Sequence, residues 1–246
     1  MTTTKECAFC PETANMSGEH LWSDWMNSLL PGKKHFTIRN ENREVIKNWA
    51  APKLDWTAKV VCETCNNGWM SELENNHARP SMAELIKGKL DVPIKQSRAD
   101  SMALFGFKTT VILDHLRRSN EPFFERSARH EFRKSLTIPR NVGMWLTGFS
   151  GLGRGEINTL YGKGSVAADK ILETYICTYA VEHLVIQIVS YKADGIRGMK
   201  TKDKFVAIPF WPRIADDFLW PPPDVLHTVS DFDAFSDRWQ DVSAFI

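Results

Sequence analysis

Apolar positions along the chain repeat with two periods. In MSGEHLWSDWMNSLLPGKK, Leu21, Trp25 and Leu29 stand four apart, as do Trp22, Met26 and Leu30. That is helical spacing, and it predicts a helix from near His20 to Leu30, where Pro31 and Gly32 end it. HFTIRNENREVIKNW mixes alternation with polar turns, and KLDWTAKVV runs as a strand into Cys62. Trp69 and Leu73 then lie one turn apart in NNGWMSELENN, which predicts a second short helix. Trp22, Trp25 and Trp69 are expected in the core of this part rather than as platforms for stacked bases.

Beyond Asn76 the pattern changes. Residues 80–90, ending around Gly88, and 98–118 read as helices, and the second is apolar almost all round, as a buried helix is. A third, over 125–136, carries Arg126, Arg129, Arg133 and Lys134 and is expected to present a basic face. From Val142 onward GMWLTGF, ETYICTYAV, HLVIQIVSY and KFVAIPFW have strand character and predict an antiparallel sheet. Pro221 to Pro223 interrupt the chain, and DFDAFSDRWQDVSAFI predicts a short closing amphipathic helix. The expected fold class is α+β in two parts, a small unit over 1–78 and a helical and antiparallel β region over 79–246.

Composition narrows the class. With 246 residues, 43% hydrophobic and 25% charged, the chain suits a globular protein with a sizeable core and not a disordered or fibrous one. The net charge of +1 advertises no partner by itself. Its distribution is more informative, because 79–140 holds 13 Lys and Arg against 7 Asp and Glu. No apolar run reaches the roughly 20 residues that span a bilayer, since Lys108 and Asp114 interrupt the best stretch between Met102 and Leu116. MTTTKECAFCPE lacks the apolar core of a secretion signal, so the expected compartment is the cytoplasm.

Cysteine spacing carries the strongest local signal. Cys7 and Cys10 form one Cys-x-x-Cys knuckle and Cys62 and Cys65 another, while Cys177 stands alone in a predicted strand as an ordinary buried residue. In a reducing compartment such paired knuckles read as a zinc site. Four thiolates complete a tetrahedron and leave no position for substrate, so the zinc is expected to be structural.

Such a centre would bring two segments into one neighbourhood: Glu19 and His20 before the predicted first helix, and Asn66 directly after Cys65. A carboxylate and a carboxamide oxygen suit a hard divalent ion such as magnesium or manganese. His20 beside it is placed to take a proton from water, since an imidazole of ordinary pKa, about 6.5, is largely neutral at cytoplasmic pH. A phosphodiester is the expected substrate. Taken singly the residues have plainer readings. Glu19 suits a helix start, Asn66 and Asn67 suit a helix cap, and His20 suits a satisfied core position.

Cys-Ala-Phe-Cys, Gly-Glu-His and Val-Cys-Glu-Thr-Cys-Asn together resemble the HNH nuclease family, whose fold is the ββα-metal finger. The likeness covers about 1–76. It implies that His20 is the general base, that Glu19 and Asn66 hold the catalytic divalent ion, and that the four cysteines are scaffold. It also implies an endonuclease, with DNA the favoured substrate, and by analogy a setting in host defence or a mobile element. The chain departs from the family pattern in two places. The orienting Asn before the second knuckle is Thr57 here, with Asn42 or Asn48 as substitutes, and Trp22, Ser23 and Asp24 replace the usual Pro.

Arg126, Arg129, Arg133 and Lys134 fit a phosphate backbone, with a solvated helix face as the plain reading. Glu72, Glu74 or His77 could add a ligand. Gly151, Gly153 and Gly155 are expected in a turn, and Tyr-Gly-Lys-Gly-Ser around Lys163 is not a phosphate loop. Two other functions stand beside the nuclease: a noncatalytic zinc-stabilised nucleic-acid-binding module, and an interaction protein that uses its C-terminal region for a partner or for self-association.

Overall fold

The computed structural model describes residues 6–13, 15–30, 32, 34–40, 42–53, 56–117, 121–150, 154–167, 170–193, 198–200, 205–214, 216–239 and 243–245. The chain begins β1 (Met16–His20), α1 (Asp24–Asn27), β2 (Lys34–Arg39), β3 (Val45–Ala51), β4 (Thr57–Cys62). A helical stretch follows, made of α2 (Glu63–Cys65), α3 (Ser71–Leu73) and α4 (Arg79–Ile86), joined by π-helical turns at Asn66–Met70 and Glu74–Ala78 and kinked at Gly68. Then come β5 (Val92–Ile94), α5 (Gln96–Asp114), α6 (Arg126–Ser135), β6 (Val142–Gly148), β7 (Arg154–Ala167), β8 (Lys170–Val181) and β9 (Leu184–Lys192). The last elements are β10 (Gly198–Lys200), β11 (Ile208–Trp211), β12 (Phe218–Trp220), α7 (Val229–Asp237) and β13 (Ser243–Phe245). The fold is α+β, and among the described residues no helix is long and apolar enough to cross a membrane.

Seven strands form the main sheet in the order β11-β6-β9-β8-β7-β2-β3. Its neighbours are antiparallel except for β2 and β7, which run parallel with Phe36 opposite Gly155 and Ile38 opposite Ile157. The sheet is therefore mixed, where the strand patterns alone predicted an antiparallel one. β8 and β9 are buried almost throughout, the pattern of strands covered on both faces. On one face Phe105 of α5 meets Tyr179 with ring centroids 6.0 Å apart. On the other, Phe232 and Phe235 of α7 pack with Ala180 and Val185. Gln187, fully buried in β9, fastens α7 to that face: its amide donates to Phe235 O at 3.0 Å and its oxygen accepts from Trp239 Nε1 at 2.8 Å. A buried amide needs all of these partners.

Of the helix expected from near His20 to Leu30, Asp24–Asn27 is helical, and His20 instead closes β1. β1 pairs antiparallel with β4, Glu19 opposite Ala58 and His20 opposite Thr57, and the ladder continues as Leu21 N–H donates to Trp56 O at 3.1 Å. Those backbone bonds hold His20 and Leu21, the first residues of the expected helix, in the hairpin, and α1 keeps only Asp24–Asn27. β7 also replaces an expected turn: Gly155 and Lys163 lie in a 14-residue strand, while Gly151 and Gly153 fall outside the described residues. Gly155 is needed because an added Cβ would lie 2.7 Å from the Phe36 ring on the neighbouring strand.

The helical stretch runs from Glu74–Ala78 straight into α4, and the β2–β3 hairpin extends the sheet built by the second part of the chain. Residues from Cys7 to Trp220 belong to one apolar core. Trp22 is the plug between the two parts. It is fully buried, its indole N–H donates to Ala180 O at 3.2 Å, and its ring meets Phe36, Trp49 and Tyr179. Trp22→Ala should lower stability by about 3–5 kcal/mol in denaturant unfolding; a loss under about 1 kcal/mol would mean that the two parts fold separately.

Candidate functional site

β1, β4 and the helix after Cys62 form a hairpin followed by a helix, with the two Cys-x-x-Cys turns at its base. The Sγ atoms of Cys7, Cys10, Cys62 and Cys65 all lie within 4.8 Å of one another, and all four residues are buried. Backbone N–H groups of Phe9 and Cys62 donate to Cys7 Sγ at 3.5 and 3.3 Å. Cys10 Sγ lies 3.6 Å from both Cys62 Sγ and Cys65 Sγ. Hydrogen bonding from Cys65 pulls the Cys7 thiol down to about 4 against the opposing effect of burial. Cys65 is pushed far up as the donor in that contact, and burial pushes Cys10 up to about 11. Four converging sulfurs with N–H donors aimed at one of them suit a bound cation. These cysteines can hold a metal ion, and the set is compatible with zinc.

Asn66 opens the first π-helical turn and ties it to β1. Its Nδ2 donates to Ser17 Oγ at 2.8 Å and Gly18 O at 3.4 Å, the two residues directly before Glu19 and His20. The strand slips register between Ser17 and Glu19, a bulge next to the acid–histidine pair. Glu19 is buried and His20 half-buried. Thr57 is the cross-strand partner of His20, whereas Asn48 pairs with Thr37 on β2 and Asn42 donates its backbone N–H to Asn40 Oδ1.

Glu19 meets a partner that spacing did not foresee. Lys108, at mid-length of α5 and 1% exposed, donates through Nζ to Glu19 Oε1 at 2.6 Å and to Glu74 Oε1 at 2.5 Å. Burial alone would push this ammonium down, but the two carboxylates outweigh it and hold Lys108 above its ordinary range. Burial raises the Glu19 carboxyl, with Lys108 opposing that shift and Glu74 adding to it. The short bonds on both sides of Lys108 identify a charged lysine between carboxylates. Of the three extra ligand candidates, Glu74 joins this group, while Glu72 and His77 are exposed. For a divalent ion, Asn66 commits Nδ2 and keeps Oδ1, and Glu19 commits Oε1 to Lys108 and has a second carboxylate oxygen. One Glu19 oxygen is thus engaged by the ammonium and the Asn66 amide nitrogen by β1.

The basic helix α6 is not one uniform face. Arg126 is exposed and pairs with Glu6 at 2.8 Å, Arg133 is half-exposed and Lys134 exposed. Arg129 points inward instead. It is buried, donates through Nε to Phe124 O at 3.1 Å and through Nη1 to Ala8 O inside the first knuckle. Its guanidinium satisfies buried carbonyls and braces the cysteine turn, so it does not share a groove wall with Arg126 and Arg133. The same helix packs Phe132 against Phe9 and Trp69. Trp69 and Trp25 are partly buried against the core and Cys177 is fully buried, as their patterns suggested.

Compared with known proteins, the chain matches no family model, no curated protein and no solved structure.

Cys62→Ser should release bound metal and unfold the hairpin and knuckles, because a structural metal contributes much of the folding energy of so small a unit; metal content and circular dichroism would report it, and full metal retention would contradict the assignment. Lys108→Met leaves buried Glu19 and half-buried Glu74 without their cation and should cost about 3–5 kcal/mol. Denaturant unfolding of the variant would measure that loss, and an unchanged midpoint would show that the ion group contributes no net stability.

Proposed function

We propose that the protein is a metal-dependent endonuclease that hydrolyses nucleic-acid phosphodiesters, DNA foremost, with its site where β1 meets the helix after Cys65. The tie from Asn66 to Ser17 and Gly18 carries this reading, because it holds the helix start against the strand end that bears Glu19 and His20. The order of elements supports it too. Hairpin, helix and paired cysteine knuckles follow the pattern of the HNH family that the motifs resemble, with zinc in the knuckles as scaffold. His20 takes the proton of the attacking water, and Thr57 across the ladder steadies its backbone. Glu19 and Asn66 are the ligands for magnesium or manganese, which when bound would stabilise charge developing on the phosphate. Arg126, Arg133 and Lys134 supply cations for the backbone of the substrate.

A second reading has its own observation. Glu19 gives a carboxylate oxygen to Lys108 at 2.6 Å, which favours a noncatalytic zinc-stabilised module that binds nucleic acid without activating water. The two readings separate in a cleavage assay on supercoiled plasmid and single-stranded DNA with magnesium or manganese. The nuclease reading expects the wild type to cut, and His20→Ala and Asn66→Ala to lose about a hundredfold or more in rate while still binding DNA. Binding by all three proteins with cutting by none would support the module.

A further inference from the structure

A lysine at the middle of a helix buried almost all round is not explained by packing, because a buried ammonium must be paired. Lys108 meets that demand at the proposed hydrolytic site. Its Nζ contacts Glu19 on β1 and Glu74 on the stretch that starts at the cysteine cluster, while the ring of Phe105 lies 5.1 Å away. Three elements separated in sequence, β1, the helical stretch and α5, thus close around one positive charge. Two carboxylates facing a compact cation from opposite elements is also how proteins hold a hard metal ion.

We propose, on the reading of Glu19 as a cation ligand, that Lys108 is a positioning residue that serves as the built-in cation of this site. Its ammonium stands between Glu19 and Glu74, where a bridging divalent ion would otherwise be held. It fixes one oxygen of Glu19 and leaves the other for a divalent ion that binds weakly and exchanges readily. The charge balance gives the direction. Glu19, Glu74 and Lys108 together carry one net negative charge, and loss of the ammonium raises it to two. A unit charge a few ångströms from a divalent ion changes its affinity by about tenfold or more.

The test uses the full chain and manganese alone as probe, with affinity read from the electron paramagnetic resonance of free manganese. Lys108→Met should bind manganese about tenfold or more tightly than wild type, and adding Glu19→Gln should remove the gain. Lys108→Arg, which keeps the charge, should stay near wild type. Glu74→Gln, which leaves the ammonium wholly to Glu19, should bind more weakly, and it serves if Lys108→Met does not fold. Equal or weaker binding by Lys108→Met, or equal or tighter binding by Glu74→Gln, overturns the proposal. The affinity order without DNA cleavage by the wild type would leave Lys108 in this role and remove the nuclease. Cleavage that depends on His20 and Asn66, without the order, would do the reverse.

Discussion

Four sulfur atoms drawn within 4.8 Å of one another join the turn at Cys7 and Cys10 to the end of β4 at Cys62 and the helix start at Cys65. Most of what is distinctive here depends on that junction. It sets where the helix departs from the hairpin, and so places Asn66 against Ser17 and Gly18. The rest of the chain is built onto it. Arg129 reaches the Ala8 carbonyl and Phe132 meets Phe9, so α6 locks the first knuckle from outside. A small metal-tied unit has little core of its own, and this one is completed by the larger sheet. Trp22 enters that sheet at Ala180, and β2 pairs with β7.

Buried charge marks the second constraint. Lys108, Glu19, Asp114 and Arg129 are all at most 9% exposed, and each is matched to a partner of the right sign or polarity. Asp114 accepts from the backbone N–H groups of Phe123 and Phe124 and from Arg117, which turns the chain after α5. Lys108 differs in kind, because its partners lie at a strand end and a helical stretch rather than in an adjacent turn. Neutral side chains at all three positions would fill the same volume without the cost of desolvating three charges. An ion group kept there, beside the acid–histidine pair, is easier to understand as part of a site than as part of a core.

Much of the secondary structure was legible from spacing. Predicted segments over 80–90, 98–118 and 125–136 correspond to α4, α5 and α6, and the strands around 143–149, 173–181 and 183–191 correspond to β6, β8 and β9. The misreadings have specific causes. Leu21, Trp25 and Leu29 keep helical spacing, yet only Asp24–Asn27 is helical, because His20 and Leu21 at the start of that segment pair across to Thr57 and Trp56 and cross-strand partners outweigh local propensity. Gly155, with Gly151 and Gly153, was read as a turn, but Gly155 is small because Phe36 passes above it in a strand pair that no local pattern announces. Arg129 matched the spacing of Arg126 and Arg133, and its burial comes from the knuckle docked on that helix.

The candidate site divides along the same line. Paired knuckles, the Glu19–His20 dipeptide and Asn66 after the second knuckle are short-range features that residue type and spacing pick out, and the structure brings the four cysteines together and ties Asn66 to the two residues before Glu19. Lys108 was visible only as a charge interrupting an apolar run. Its partners lie 89 and 34 residues away along the chain, and nothing in local spacing names them. Hydrophobic period and ligand spacing act over a few residues, so a single chain segment carries them. The pairing of a buried charge is decided by which elements pack together, and that exists only once the sheet, α5 and the cysteine cluster have closed on one another.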